Sequence, residues 1–226
     1  FLGIREVLNQ MAGKLSLSEM QNTAIGRTLL IQPKVLLLDE PLSNLDAESR
    51  ATMRTELKRL QKEVEQTTLF VTHDQLEAMT LSDRIAVMST GRLQQYDTPD
   101  AVYNHPKNQF VANFIGSPSM NLIDCTLKSG GDRVFLVNDR FTLDFTAHRS
   151  LLNEFDDGSQ LSIGIRPEHV SVMRRSDVQP SAKGLHMGGK IFITEPMGFE
   201  TVVHVQLDGM MIRAITPSAN SFDINE

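Results

Sequence analysis

The sequence of 226 residues lacks the features that define several classes of protein. Its one cysteine, Cys125, excludes an internal disulfide and fits a reducing compartment. No apolar run approaches the roughly 18 residues that a membrane-spanning helix needs, and the first residues do not read as a secretory signal peptide. The net charge of −6, without any basic stripe, argues against general nucleic-acid binding.

Metal-ligand spacing is missing as well, because Cys125 and the six histidines do not follow the pattern of a zinc site. The remaining composition, 40% apolar and 22% charged, is ordinary for a globular protein. The length allows one large domain or two small ones, with enough residues for a sizeable core.

The most informative feature is an apolar run, residues 35–38, that ends in the adjacent carboxylates Asp39 and Glu40. A second strand-like run, residues 68–72, ends at His73. Magnesium-dependent phosphate chemistry needs one carboxylate near the metal, one to orient or deprotonate water, and an imidazole near the terminal phosphate. An α/β sheet presents ligands at the carboxyl ends of its strands, where these side chains stand. The alternative is a buried strand followed by solvated acids and a structural histidine.

Helical and strand-like patterns alternate through the first half of the chain. Helices are predicted within residues 1–33 and over 47–65 and 74–81, strands over 35–38, 68–72 and 84–88, and a helical connection over 99–115. This alternation predicts an α/β sheet, and the fully apolar first strand is typical of a parallel sheet covered on both faces. Asp46 is expected to cap the long helix.

The pattern changes at about residue 116, where short alternating strands separated by turn residues begin. They are predicted over 122–127, 133–137, 141–145, 161–165, 169–173, 190–194, 201–205 and 211–215. The spacing predicts a small all-β domain of OB-like type. The chain is therefore divided into an α/β part, residues 1–115, and a β-rich part, residues 116–226.

One segment imitates a phosphate-binding loop. Residues 184–190 have the glycine and lysine spacing of a P-loop, but Ile191 replaces the serine or threonine that would bind magnesium. Residues 190–194 also read as a strand, and the segment is predicted to be a turn into that strand. No other phosphate-cradling loop is present, so the chain looks like the later part of an ATPase.

From about Leu15 to Asn121 the chain resembles the ATP-binding subunit of ABC transporters. Residues 35–41 look like Walker B with the catalytic glutamate, residues 43–46 like the D-loop, and residues 72–74 like the switch-histidine loop. Three further segments are similar to importers of the maltose and glycerol-3-phosphate type: 91–99, 114–121 and 164–169. The resemblance implies the C-terminal part of a P-loop NTPase-type ABC ATPase domain, followed by an OB-like, TOBE-type regulatory and dimerisation domain.

The resemblance also implies roles and cofactors, namely ATP and Mg²⁺. Asp39 would hold magnesium through water, and Glu40 would be the general base or the residue that orients water. His73 would touch the γ-phosphate. Asp46 would act across a dimer interface on the partner subunit's nucleotide, which is compatible with its role as a helix cap.

The signature segment departs from the family's Leu-Ser-Gly-Gly-Gln. The ungapped register reads Leu-Ser-Leu-Ser-Glu over residues 15–19, which loses both glycines and assigns Ser16 and Ser18 to the partner subunit's nucleotide. Glu19 then adds a negative charge near a phosphate. A second register, residues 17–21, keeps Leu, Ser and Gln but shifts the helix by two residues, so the ungapped register is favoured. Either register predicts that a dimer of this subunit alone hydrolyses ATP slowly.

The sequence is compatible with two candidate functions. The first is the ATPase subunit of an importer of carbohydrate or glycerol-3-phosphate class solutes, paired as a homodimer or with another ATPase subunit. It would bind transmembrane permease subunits at the inner face of the cell membrane. The second is a non-catalytic regulatory or scaffold protein; a DNA-associated ABC ATPase is opposed by the acidic charge. The natural protein is expected to begin before Phe1 and to continue after Glu226. Without a P-loop, the chain alone is expected to bind ATP weakly and to be inactive.

Overall fold

A computed structural model describes residues 2–177, 186–207, 209–218, 220 and 222. The chain forms two compact units, Phe1–Lys107 and Asn108–Glu226, which we call the first and the second unit. The two units meet between residues 107 and 108, slightly before the domain boundary predicted between residues 115 and 116. That predicted domain boundary stays a prediction.

The first unit alternates helices and strands, and capping side chains set where its helices begin. Ser16, Asp46, Asp74 and Thr98 each accept a hydrogen bond from a backbone amide of the following first turn, which satisfies a donor that the helix itself cannot pair. The expected cap at Asp46 is confirmed. The elements are α1 (Leu17–Leu30), β1 (Val35–Asp39), α2 (Ala47–Val64), β2 (Thr67–Val71), α3 (Gln75–Leu81), β3 (Ile85–Ser89), β4 (Arg92–Asp97) and α4 (Pro99–Asn104).

Strands β1 and β2 are parallel, with Leu37 opposite Leu69. Their shared core lies on one face, where Leu38 and Phe70 pack against the buried side chains of α1 and α2. On the other face Leu37 is 68% exposed, so the prediction of a sheet covered on both faces is wrong for this structure. An apolar run shows that a strand is hydrophobic, but it does not show which face its helices cover. The core consists of Leu2, Ile25, Leu42, Leu45, Met53, Leu57, Leu60 and Leu81.

The third predicted strand does not join this parallel pair. Strand β3 pairs antiparallel with β4, which the sequence analysis missed because it ended the element at a turn. Thr90 and Gly91 both have positive φ, at 46° and 75°. Two such residues form the tight turn that joins hairpin strands. Strand β4 therefore runs back directly alongside β3 as the second strand of a hairpin.

In its described residues, the second unit has one short α-helix, three 3₁₀ turns and two antiparallel sheets of order β7-β6-β5-β8 and β11-β10-β9. The strand predicted over 169–173 is wrong: Pro167–His169 is a 3₁₀ turn, and no regular element follows it there. Proline at the start of this turn fixes its backbone and removes a strand donor. The elements are α5 (Gln109–Phe114), β5 (Asn121–Gly130), β6 (Arg133–Val137), β7 (Thr142–Asp144), β8 (Gln160–Ile165), β9 (Lys190–Pro196), β10 (Glu200–Leu207) and β11 (Met210–Pro217).

A common core and one buried amide join the two sheets. Ile123 of β5, Leu207 of β10 and Ile212 of β11 belong to one buried cluster. The Asn121 side chain donates to the Arg213 carbonyl and accepts from the Arg213 amide, both at 2.8 Å, so it substitutes for a strand neighbour. Strand β9 begins at Lys190, which confirms the strand predicted over residues 190–194. Residues 184 and 185, the first two of the segment with P-loop spacing, lie outside the described residues.

Arg166 fixes the end of α5. It is 3% exposed, and its Nη1 donates to the carbonyls of Ala112, at 3.2 Å, and Ile115. Carbonyls in the last turn of a helix have no partner within the helix. Gly116 leaves room for this contact, since a Cβ there would lie 2.7 Å from Arg166 Nη1. In this structure the contacts of Arg166 give it a structural role.

Truncation of Arg166 tests this role. We expect Arg166→Ala to lower the free energy of unfolding by about 3 kcal/mol, because two carbonyls lose a charged donor in a buried site. Urea denaturation followed by far-UV circular dichroism measures the change. The matched variant Arg133→Ala removes an exposed guanidinium from β6 and should change stability by less than about 0.5 kcal/mol. Equal effects of the two variants would reject the proposed role of Arg166.

Candidate functional site

The site forms where the parallel strands β1 and β2 end. Asp39 is the last residue of β1 and lies opposite Val71. The Glu40 amide donates to the Val71 carbonyl at 2.8 Å, which continues the pairing by one residue. Glu40 then takes a φ of +44°, a left-handed conformation that is costly for a residue with a Cβ. The amide and hydroxyl of Ser43 both donate to the Glu40 carbonyl and hold this turn.

The two predicted catalytic side chains are in contact. Nδ1 of His73 lies 2.9 Å from Oε1 of Glu40. Both side chains are accessible, at 74% and 46% exposure. The hydrogen bond to Glu40, followed by the negative charge of that carboxylate, raises the pKa of His73 above its usual value. The structure thus brings together an acid and an imidazole whose protonated form the acid favours.

The backbone on both sides of His73 is anchored. The hydroxyl of Thr72 accepts from the Asp74 amide at 2.9 Å and donates to Oε2 of Glu77 at 2.7 Å. Glu77 is 2% exposed. This buried carboxylate was not predicted from the sequence, although an acid in the first turn of a helix interacts favourably with the helix dipole. His73 therefore projects an exposed side chain from a fixed backbone.

Asp39 can contribute one oxygen ligand for a magnesium ion. Its side chain is exposed at the strand end, beside Glu40. No cluster of three or more acidic, histidine or cysteine side chains suited to a metal ion occurs in the part of the chain that the structure describes. Magnesium fits this donor set, because it keeps several waters and binds through one or two carboxylates plus substrate phosphates.

A glutamate occupies the N-terminus of α1. Oε2 of Glu19 accepts from the Ser16 amide at 2.7 Å and from the Ser16 hydroxyl at 2.8 Å, and that hydroxyl accepts from the Glu19 amide. This is a capping box. The bond from the Ser16 amide, followed by that from its hydroxyl, lowers the pKa of Glu19. Ser18 lies in the first turn of the same helix.

The other predicted site residues do not join the Glu40–His73 pair. Oδ1 of Asp46 accepts from the Ser49 amide at 3.0 Å, and this bond lowers the pKa of Asp46. No contact of Ser16, Ser18 or Asp46 with Glu40 or His73 is present among the described residues. One link between α1 and the turn of Glu40 is Gln21, whose side-chain amide donates to the carbonyl of Pro41.

Two family models match the second half of the chain. A model described as MalK OB fold domain matches residues 116–170, and one described as TOBE domain matches residues 163–225. The predicted fold class is confirmed. None of the helices in the described part of the chain is both long enough and apolar enough to span a membrane.

The chain is similar to several importer proteins over 92% of its length. It is 45% identical to the xylose/arabinose import ATP-binding protein XacK of Haloferax volcanii, covering 52% of it. It is 42% identical to the trehalose/maltose import ATP-binding protein MalK of Thermococcus litoralis, covering 56%, and 40% identical to the sn-glycerol-3-phosphate import ATP-binding protein UgpC of Vibrio cholerae, covering 52%.

The chain spans about half the length of these curated relatives. The predicted resemblance is confirmed both by the relatives and by the two family models. The relatives of this chain are therefore ATP-binding subunits of sugar and glycerol-3-phosphate importers, and its second half is similar to their MalK-type OB and TOBE domains.

Proposed function

We propose that this chain is part of the ATP-hydrolysing subunit that energises an ABC importer of carbohydrate or glycerol-3-phosphate class solutes. The observation that carries the proposal is the 2.9 Å contact between Glu40 and His73 beside Asp39, at the carboxyl end of a parallel strand pair. The names of the relatives support the solute class, since they import xylose or arabinose, trehalose or maltose, and glycerol-3-phosphate.

In the proposed reaction Asp39, Glu40 and His73 have separate roles. Asp39 would hold the magnesium of Mg-ATP through water, and that metal would neutralise developing charge on the phosphates. Glu40 orients the attacking water and accepts its proton, and His73 donates a hydrogen bond to a γ-phosphate oxygen. The protonated ring has two N–H donors, so Nε2 can make this bond while Nδ1 keeps its contact with Glu40.

The N-terminal turns of α1 and α2 serve the nucleotide of a partner subunit. Ser16, Ser18 and Asp46 face that nucleotide in the dimer. The Glu19 carboxylate stands at the same helix terminus and repels the γ-phosphate. A homodimer therefore turns over slowly, and pairing with a second type of ATPase subunit would relieve the defect at one of the two sites.

The remaining partners follow from the importer assignment. The ATPase subunits dock on a pair of transmembrane permease subunits from the cytoplasmic side, and ATP hydrolysis drives the permeases. The permeases and a separate binding protein select the solute.

A second candidate function is a regulatory or scaffold protein that keeps the ATPase fold without turnover. The capping box between Ser16 and Glu19 favours it, because the carboxylate occupies a helix terminus suited to a phosphate. ATP turnover that depends on Glu40 distinguishes the two candidates.

Neutralising Glu40 tests the proposed general base. In the complete ATPase assembled with its permeases, Glu40→Gln should lower kcat by about 10²- to 10⁴-fold while ATP still binds, because proton acceptance contributes that much. The control is Glu63→Gln, which makes the same change at an exposed acid that pairs with Arg59 on α2. Normal turnover of Glu40→Gln would contradict the proposal. A wild-type assembly that hydrolyses no ATP would favour the scaffold function.

Neutralising Glu19 tests the origin of slow turnover. A homodimer of the complete subunit should hydrolyse ATP slowly, and Glu19→Gln should raise kcat/KM about tenfold, because the repulsion of the γ-phosphate is removed. Glutamine still completes a capping box, so the subunit should fold, with a thermal midpoint slightly below that of the wild type because the favourable charge at the helix terminus is lost. Fast turnover by the wild-type homodimer, or no gain in the variant, would contradict this account of the signature.

The Glu40–His73 pair also predicts a pH dependence. An NMR titration of the chain should give His73 a pKa above the ordinary value of about 6.5, and Glu40→Gln should return it towards that value. Because the folded pKa is raised, the stabilisation from the pair is complete below about pH 6.5 and is lost as the pH rises through the folded pKa. An unchanged His73 titration in Glu40→Gln would show that the contact does not form in solution.

A further inference from the structure

Arg50 touches both loops that carry candidate site residues. It lies in the first turns of α2, and its Nη2 donates to the carbonyl of Leu45 at 3.0 Å. Its Nη1 lies 3.8 Å from Oδ2 of Asp74. Leu45 immediately precedes Asp46, and Asp74 immediately follows His73. One guanidinium therefore connects the loop of Asp46 with the loop of His73.

The two oxygens of Asp74 have different partners. Oδ1 accepts from the amides of Leu76, at 2.8 Å, and Glu77, at 3.1 Å, and so caps α3. Oδ2 faces Arg50. A carboxylate with one oxygen on a helix cap and the other near a cation has a single favourable orientation. The planar guanidinium offers its donors in fixed directions, so it can hold two acceptors at once, which a lysine ammonium on its flexible stem does less well.

The orientation of Asp74 reaches His73 through the backbone. The Asp74 amide is bonded to the hydroxyl of Thr72, and that hydroxyl donates to the buried Glu77. The first turn of α3 and the residue before His73 thus form one connected set of hydrogen bonds. A shift of the Leu45 carbonyl moves Arg50, and Arg50 acts directly on the cap of this set.

We propose that Arg50 is a positioning residue that couples the loop carrying Asp46 to the loop carrying His73. Its role in ATP turnover rests on the proposed function: docking of a partner subunit at Asp46 would be transmitted through Leu45 and Arg50 to the backbone that presents His73. The bridge itself is a property of the folded chain and can be measured without nucleotide.

Amide hydrogen exchange of the chain, followed by NMR, tests the bridge. In Arg50→Gln the amides of Leu76 and Glu77 should exchange about tenfold faster, because the cap that protects them loses its charged support. Amides in the centre of β5 should keep their wild-type rates. Unchanged rates at Leu76 and Glu77 would overturn the proposal. Equal acceleration throughout the first unit would do so too, because it would indicate general destabilisation.

Two further variants distinguish the bridge between the two loops from a general effect of positive charge on α2. Arg54→Gln removes the same charge one turn later on α2, where the structure describes no ion pair or side-chain hydrogen bond for Arg54, and it should leave both rates unchanged. Arg50→Lys keeps the charge without the two-pronged donor and should accelerate exchange almost as much as Arg50→Gln. A lysine variant identical to the wild type would reject the bridge between two acceptors. Because exchange needs no ATP, an inactive ATPase would count against the proposed function and leave this result standing.

Discussion

The parallel pairing of β1 with β2 is the constraint on which the candidate site depends. It brings the carboxyl ends of two strands together, and the bond from the Glu40 amide to the Val71 carbonyl extends the pairing to the first residue of the turn. Glu40 then adopts a left-handed conformation that two bonds from Ser43 stabilise. This geometry turns the acid towards the end of β2, where His73 stands. A shift of register by one residue would separate the two side chains.

Helix caps hold the loops around this strand pair. Ser16, Asp46 and Asp74 each end a loop by accepting a first-turn amide, and each lies in or beside a segment with a proposed role. A capping residue satisfies donors that a short helix leaves open, so structure and function compete for the same side chains. At α1 the Glu19 carboxylate completes the cap and places a negative charge at the helix terminus that the proposed function assigns to a phosphate. At α3 the cap leaves one oxygen of Asp74 for Arg50.

Much of the fold and part of the site could be predicted from particular residues. The apolar run before Asp39, the long amphipathic helix after Asp46 and the alternating segments after residue 116 have periods that identify helices and strands. Strand β4 was missed because its polar sequence gives no apolar period. The strand expected over 169–173 had that period, but it has no pairing neighbour and follows a proline turn. Glu77 and Arg50 were not identified, since the burial of Glu77 and the contact of Arg50 with Asp74 arise only when the chain is folded.

The sequence by itself determined the resemblance to importer ATP-binding subunits, the two-part organisation and the identity of the acid and imidazole at the strand ends. Those features depend on local period, spacing and residue type, which the order of residues records directly. The tertiary structure decided that Glu40 lies 2.9 Å from His73, that one face of the β1–β2 pair is exposed, and that Arg166 supports α5. It also decided that Arg50 spans two loops. These contacts join residues far apart in the chain, and their distances exist only once strand register and helix packing are fixed.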